Sequence, residues 1–240
     1  MSRLVGITGA SGQLGIALQR RFPRAIPIGH RMPSERVDLL IHAACPVWTD
    51  EHSITEFDRF NLAVRQYMNT FEGTRMVNVG SWWQFAEGDC RGLSYTKLKD
   101  RQQEMFPEAT HLIAYSIYGH EKGFVKAVLD HITGGPKLPS VGTQWRDFVH
   151  VDDVATAVEV AAGLTGTWAA CTKEPVRTDS LLSAFGVDLP IVEQSPTADL
   201  VYKHPVISTG PSRVHEFIAD TIAARARRAW AQQRDDWRAA

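Results

Sequence analysis

The sequence predicts an α/β protein built on a doubly wound, mainly parallel sheet, and three observations carry that expectation. Short apolar runs alternate with amphipathic stretches over the first two thirds of the chain, the pattern of strands joined by crossover helices. The first run, Leu4-Val5-Gly6-Ile7, leads through a glycine-rich turn, Thr8-Gly9-Ala10-Ser11-Gly12-Gln13-Leu14-Gly15, into an amphipathic segment. Gly9, Ala43, Ser81 and Tyr118 all fall where predicted strands end, and ligands of such sheets bind beyond the carboxyl ends of the strands.

The elements follow in order. A strand is expected over 4–8 and a helix over 12–22, with the glycine turn between them. Residues 25–29 read as a short second strand, and 38–44 as an apolar third strand ending in small residues. A helix is expected over 56–72 and a strand over 76–80 that delivers Ser81. The next helix, 95–105, is stopped near Pro107; a strand at 111–118 and a helix at 124–132 follow. The breaker cluster Gly134-Gly135-Pro136-Lys137-Leu138-Pro139 marks a crossing into a smaller lobe. Residues 152–162 form an Ala- and Val-rich helix. The strand–helix rhythm is lost from about 176, and 214–237 reads as one long helix. The expected organisation is a dinucleotide-binding domain over 1–133 and 141–170, with a small substrate lobe and C-terminal helix over 134–140 and 171–240.

The chain has 240 residues, of which 44% are hydrophobic and 22% charged, with net charge −1; this suits one large domain, or one with a small lobe. That balance offers no basic field for nucleic acid, and no apolar run is long enough to cross a membrane. Cys45, Cys90 and Cys171 are scattered, without a CxxC pair. They imply a reducing compartment, no disulfide framework and no metal site. With no signal-peptide pattern at the start, the expectation is a cytoplasmic protein.

The chemistry lies in a few positions. In the glycine turn, Gly9, Ser11, Gly12, Gln13, Leu14 and Gly15 are the candidates to hold a cofactor pyrophosphate, since glycines allow close backbone approach and a helix N-terminus offers free N–H groups. Such a turn can equally be a tight connection with no ligand. About eighty residues on, Tyr95 and Lys99 stand four apart on a predicted helix, hence on one face. An ammonium beside a phenol favours the phenolate and lowers its pKa, and the lysine can also hold a cofactor ribose. Ser81, at a strand end, can hydrogen-bond a substrate oxygen as the tyrosine moves a proton. At the end of the second strand stand His30 and Arg31, with Arg36 nearby, in place of an acidic residue. A cation such as Arg31 suits a ribose phosphate, which favours NADP(H), with NAD(H) as the alternative.

These motifs, in this order, resemble the extended short-chain dehydrogenase/reductases that modify nucleotide-activated sugars. The resemblance rests on Thr8 to Gly15, His42-Ala43-Ala44, Asn61, Ser81, Tyr95 and Lys99, Tyr118-Gly119, and Arg146-Asp147-Phe148-Val149-His150-Val151-Asp152-Asp153. It implies a catalytic set of Ser81, Tyr95 and Lys99, with Asn61 supporting a proton relay. It implies cofactor contacts at Ala43 and Ala44, and substrate contacts at Trp82, Trp83, Tyr118 and Arg146. Arg146 would hold the substrate's diphosphate; a salt bridge to Asp147 or Asp153 is the competing use. The stretch Asn78 to Phe85 is similar to reductases of CDP-linked 4-keto-6-deoxyhexoses. Trp82 and Trp83 stand where the family's dehydratases carry Asp-Glu, which disfavours dehydration; Trp83 also replaces a cysteine of the epimerase-reductases. The resemblance further implies a homodimer bundled through the helices bearing Asn61 and Tyr95, on which Leu62, Tyr67, Leu98 and Met105 are apolar.

Two departures matter. Only Arg31 to Val37 return the chain from the second strand to the sheet, where relatives place a helix, a strand and a helix, so a Rossmann-like sheet shortened after its second strand and a truncated adenine pocket are expected. Phe85 replaces a tyrosine common in the family. The function implied is NAD(P)H-dependent reduction of a keto group, at C4, on a nucleotide-activated deoxysugar. The alternatives are a nucleotide-sugar 4-epimerase with tightly held NAD, and a non-catalytic cofactor-sensing protein on the same fold.

Overall fold

A computed structural model describes residues 3–45, 50–85, 94–119, 123–138, 143–187, 189–190, 200 and 202–239. A seven-stranded sheet forms its centre, with every pairing parallel. Its strands are β1 (Val5–Thr8), β2 (Ile26–Ile28), β3 (Leu39–His42), β4 (Arg75–Ser81), β5 (Thr110–Ala114), β8 (Thr167–Cys171) and β10 (Val206–Ser208). Their spatial order is β10-β8-β5-β4-β3-β1-β2. A smaller sheet joins β6 (Ser116–Tyr118) and β7 (Trp145–His150) in parallel, and β7 and β9 (Pro175–Arg177) antiparallel. The helices are α1 (Gln13–Arg21), α2 (Glu51–Thr70), α3 (Ser94–Met105), α4 (Phe124–Ile132), α5 (Val151–Ala161), α6 (Thr178–Ser183) and α7 (Val214–Ala239). None of the described helices is long and apolar enough to cross a membrane.

The central strands β1, β3 and β5 are buried at every position, as parallel strands covered on both faces must be. One face packs Ile7, Ile41, Val77 and Val79 against Leu18 of α1 and Val154 and Val158 of α5. On the other, Leu40, Met76 and Phe106 pack with Val64 and Tyr67 of α2. A third cluster sets Tyr118, Val128 and Phe148 against Leu181, Val214 and Ile218. The C-terminal segment thus shares its core with α4, β6 and β7, which lie largely inside the stretch that the sequence assigned to the first domain.

The strand expected at 111–118 is two strands in two sheets. Tyr115 ends the first: its ring stacks between Trp82 and Tyr202, with centroids 6.1 and 5.3 Å away, and the chain then turns to pair with β7. The fully buried Asp147 ties that second sheet to the first. Its carboxylate accepts from the Thr172 N–H and hydroxyl, the Lys173 N–H and the Tyr202 hydroxyl. Lys173 is held at φ 63° beside it. The region after 176 also regains regular structure, in α6, β10 and α7.

The expected shortening after β2 is present. The link to β3 contains neither helix nor strand. It is locked from α2, where the Tyr67 hydroxyl donates to the Glu35 carbonyl and accepts from the Val37 N–H, each at 2.8 Å. Tyr67 and Leu98 are therefore interior residues, 5% and 1% exposed, and do not supply a dimer face; Leu62 is 53% exposed.

The glycine turn sets α1 tightly on β1. A Cβ on Gly15 would lie 2.1 Å from the Gly9 carbonyl oxygen and 2.6 Å from the Ala10 Cα, both backbone atoms. Gly15→Ala is therefore expected to lower stability by about 1–3 kcal/mol, read as a lower denaturant midpoint at unchanged slope. An unchanged midpoint would mean that helix and strand do not meet this closely.

Candidate functional site

Two cavities open at the carboxyl edge of the large sheet. The first, about 650 Å³, is walled by Gly9, Ala10 and Ser11 after β1, by residues 27–30 at the end of β2, by Ala44 and Cys45 after β3, and by Glu56, Phe57 and Phe60 of α2. Gly9 holds φ +68°, and a Cβ there would sit 2.8 Å from the backbone of Ala44. Both the left-handed backbone and the close approach require glycine. Gly12 caps α1 and donates its N–H to the Gly9 carbonyl at 2.9 Å.

The other turn residues divide. Ser11 lines the cavity. Gln13 is turned toward Gly119, where a Cβ would stand 2.6 Å from Gln13 Nε2, and that nitrogen is buried with no partner among the described residues. Leu14 belongs to the core, so only its backbone can serve a ligand. Ala44 lines the cavity, while Ala43 packs against the core. Of the basic residues after β2, His30 lines the cavity and Arg31 does not; Arg36 is drawn to Asp38 at 3.2 Å. Arg31 thus stands exposed beside the cavity and not in its wall.

The second cavity, about 490 Å³, has the rings of Trp82, Trp83, Tyr115 and Phe124 in its wall, together with Ser81, Tyr95 and Arg146. Ser81 ends β4 and opens a 3-10 turn over Trp82–Gln84. The Gln84 side chain reaches back to the Ser81 N–H at 2.8 Å, and Ser81 Oγ accepts from the Trp83 N–H at 3.5 Å. Gly80 makes this possible, since a Cβ there would lie 2.6 Å from Gln84 Oε1. Ser81 and Tyr95 line the same cavity, where the serine hydroxyl favours the ionised form of the phenol. Trp82, 3% exposed, is a core residue that still reaches the wall; Trp83 is half-buried beside it, ring to ring at 5.5 Å.

Burial pushes the Tyr95 phenol well above its ordinary pKa, Cys45 pushes it the same way, and the Ser81 hydroxyl opposes both. The expectation that Lys99 would lower it is not met. The lysine, 4% exposed, spends two N–H groups on the Val79 carbonyl and Gln102 Oε1, each at 3.0 Å. Desolvation lowers the Lys99 pKa in turn. Desolvation outweighs the Ser81 contribution, so the Tyr95 phenol stays protonated.

Arg146 projects into the second cavity. Its guanidinium lies 5.1 Å above the Phe124 ring and donates to Gln144 Oε1 at 3.1 Å, while its buried Nε has no partner among the described residues. The competing salt bridges are not made. Asp147 is taken by Thr172, Lys173 and Tyr202, and Asp153 pairs with Arg213 at 3.3 Å. Tyr118 is not in the wall. Its ring, 2% exposed, packs edge-on against Phe148, His150 and Phe217, because its strand turns it into the third cluster.

Asn61 is also placed differently from a relay. It is 1% exposed, and its Oδ1 accepts from His42 Nε2 at 2.8 Å. The His42 Nδ1 accepts from the Thr8 hydroxyl at 2.6 Å, and Thr8 Oγ1 accepts from the Ala44 N–H at 3.2 Å. Asn61 thus fixes the histidine that orders the ends of β1 and β3.

Sequence reasoning missed Gln84 and Gln102. Gln84 was readable, because Ser81-Trp82-Trp83-Gln84 is a capping-box pattern. Gln102 stands three residues beyond Lys99, on the same helix face.

Residues 97–165 match the model of the NAD dependent epimerase/dehydratase family. No curated protein matches the chain in sequence. Among solved structures, it is similar to a dTDP-4-dehydrorhamnose reductase from Bacillus anthracis str. Ames in complex with NADP. The TM-score is 0.71 and the identity 17%, over 91% of this chain and 96% of that one. It is also similar to a UDP-N-acetylglucosamine 4-epimerase from Methanobrevibacter ruminantium M1 in complex with UDP-N-acetylmuramic acid, at TM-score 0.68 and 14% identity over 92% and 97%. The Bordetella bronchiseptica enzyme WbmG in complex with NAD and UDP superposes at TM-score 0.65 and 15% identity, over 90% and 87%. The likeness to these structures is one of fold, and in sequence residues 97–165 are similar to the NAD dependent epimerase/dehydratase family. In this chain β2 ends the large parallel sheet among the described residues.

The buried His42 yields a pH test. Its pKa is pushed down from 6.5 to about 3, chiefly by burial, against the Asn61 bond and with help from the Lys99 charge. Between those values the unfolded chain binds a proton that the folded protein refuses, so stability falls as pH drops below 6.5. The slope from this group approaches about 1.4 kcal/mol per pH unit. His42→Gln should flatten the decline between pH 7 and pH 5 in denaturant melts; equal slopes would show that His42 is not held neutral.

Proposed function

We propose that the protein reduces a keto group, at C4, on a nucleotide-activated deoxysugar, using a nicotinamide cofactor. The observation that carries this reading is that Ser81, Tyr95 and Arg146 share the wall of one cavity with Trp83 and Phe124. The cradle at Gly9 and Gly12 and the unpartnered Gln13 amide support a dinucleotide in the first cavity. NADP(H) is the cofactor proposed, with His30 in the wall and Arg31 beside it; Glu56 on the facing wall would suit the ribose hydroxyls of NAD(H).

The cofactor, when bound, supplies a hydride to the carbonyl carbon. The chain does the rest. Ser81 Oγ, held by its own turn, hydrogen-bonds the carbonyl oxygen. Tyr95 gives that oxygen its proton, and burial keeps the phenol in the protonated form that reduction needs. Lys99 supplies a fixed positive charge next to the site. Arg146 binds the diphosphate through donors that no carboxylate in the described structure occupies, and Trp83 and Phe124 give the sugar and nucleotide an apolar wall. A homodimer is part of the proposal, with the exposed Leu62 of α2 as the residue to probe.

The second reading is 4-epimerisation by the same residues, with oxidation and re-reduction on opposite faces and no net cofactor use. During turnover of a 4-keto nucleotide-sugar with NADPH, cofactor absorbance should fall in step with product; converted sugar at constant absorbance would reject the reductase. Tyr95→Phe should lower kcat by roughly 10²–10⁴-fold while the cofactor still titrates calorimetrically. Retained turnover would remove Tyr95 from the mechanism. Turnover in neither protein, with cofactor bound by both, would favour a cofactor-sensing role.

A further inference from the structure

The Lys99 ammonium, 4% exposed, has three N–H groups to place. One goes to the Val79 carbonyl and one to Gln102 Oε1, each at 3.0 Å. Gln102 is itself fully buried, and its Nε2 has no partner among the described residues. On β4, the strand that α3 packs against, Asn78 Oδ1 is also buried and unpartnered, while Asn78 Nδ2 donates to His111 Nδ1 at 3.2 Å. A buried donor and a buried acceptor, each unmet, are what one interior water joins. The titratable groups coupled to Lys99 are Cys45 beyond β3 and His42 on β3, while Tyr95 stands one turn earlier on α3. β4 offers the Val79 carbonyl and the neutral Ser81, and Asn61 of α2 is engaged by His42. Among the described residues no carboxylate pairs with the ammonium.

We propose that Gln102 is a positioning residue: its amide oxygen, with the Val79 carbonyl, fixes the Lys99 ammonium without neutralising it and leaves the remaining N–H for the active site, while its amide nitrogen is tied back to Asn78 through a buried water. A neutral acceptor is the choice that matters here. A carboxylate at 3 Å would hold the lysine equally well but cancel the charge that the site uses.

The inference rests on the proposed function only where turnover is measured, so its first test needs no substrate. In the full chain labelled with 13C-lysine, the Lys99 ε-carbon resonance, assigned by its loss in Lys99→Met, reports the ammonium directly. Gln102→Leu removes the acceptor and should lower the titration midpoint by about one pH unit or more. Gln102→Glu should raise it by a similar amount. Gln102→Asn, which withdraws the amide by one methylene, should move it as Leu does, and serves if Leu does not fold. Midpoints that do not move would overturn the proposal. A crystal structure should show one water within hydrogen-bonding distance of Gln102 Nε2 and Asn78 Oδ1; a dry gap would overturn the tie to Asn78. In turnover, the pH–rate limb of kcat/KM should move in opposite directions in Gln102→Leu and Gln102→Glu, whereas a merely structural role would lower the rate without moving the limb. If the unaltered protein reduces no 4-keto nucleotide-sugar, the proposed function fails while the resonance shifts still decide the role of Gln102.

Discussion

A row of polar side chains laid opposite one another across the sheet is the constraint on which the rest of this protein depends. Thr8, His42, Asn78, His111 and Thr167 are in register on five adjacent strands, and all but Thr167 are buried. Polar groups placed there cost free energy unless they are paired. The pairs are made partly along the row, at Thr8–His42 and Asn78–His111, and partly from above, where Asn61 reaches down to His42. Apolar packing alone would let α2 slide along the sheet. The Asn61–His42 bond does not, because it has one geometry. The ends of β1 and β3, and hence the floor of the first cavity, follow from it.

On the adjoining part of the same face, α3 is set by Leu98 and Phe106 in the core and by the Lys99 bond to Val79. Tyr95 then shares a cavity wall with Ser81, whose own direction is set by Gln84 and made possible by the bare Gly80. Gln84 also bonds Asp100 and Gln103 of α3, at 3.3 and 3.0 Å. The serine turn and the tyrosine helix are therefore one unit, and the placing of phenol and hydroxyl does not depend on either element alone. This mutual support is what a proton-transfer pair requires, since reach matters before acidity.

The sequence made legible what obeys local rules. The glycine turn has a spacing that only a tight strand-to-helix junction uses, and Tyr95 and Lys99 follow helical periodicity; Ser81 is announced by the apolar run before it. The shortened β2–β3 link was readable from chain length alone. Other features depend on long-range partners. Nothing near 111–118 announces a change of sheet at Tyr115, since the cause is a stack with Trp82 and Tyr202. Tyr118 follows that turn into the third cluster, so a motif residue expected on the substrate becomes core. The direction of the Tyr95 pKa was misread because spacing shows that a lysine is near, and not that its hydrogens are already bonded to Val79 and Gln102. Of the two basic residues after β2, His30 lines the first cavity and Arg31 stands exposed beside it, a difference that side-chain direction decides and sequence does not announce.

The short link after β2 has a consequence at the rim of the molecule. Within the described residues β2 ends the large sheet and has a neighbour on one side only. An outermost strand offers its free backbone groups to any other extended chain, and so invites intermolecular pairing and aggregation. Here that strand is three residues long, with a proline at its centre. Pro27 has no N–H to offer, and three residues are too few to template a ladder. The outer edge of the sheet is thus blunted by Ile26-Pro27-Ile28 itself, in the strand that most needs it.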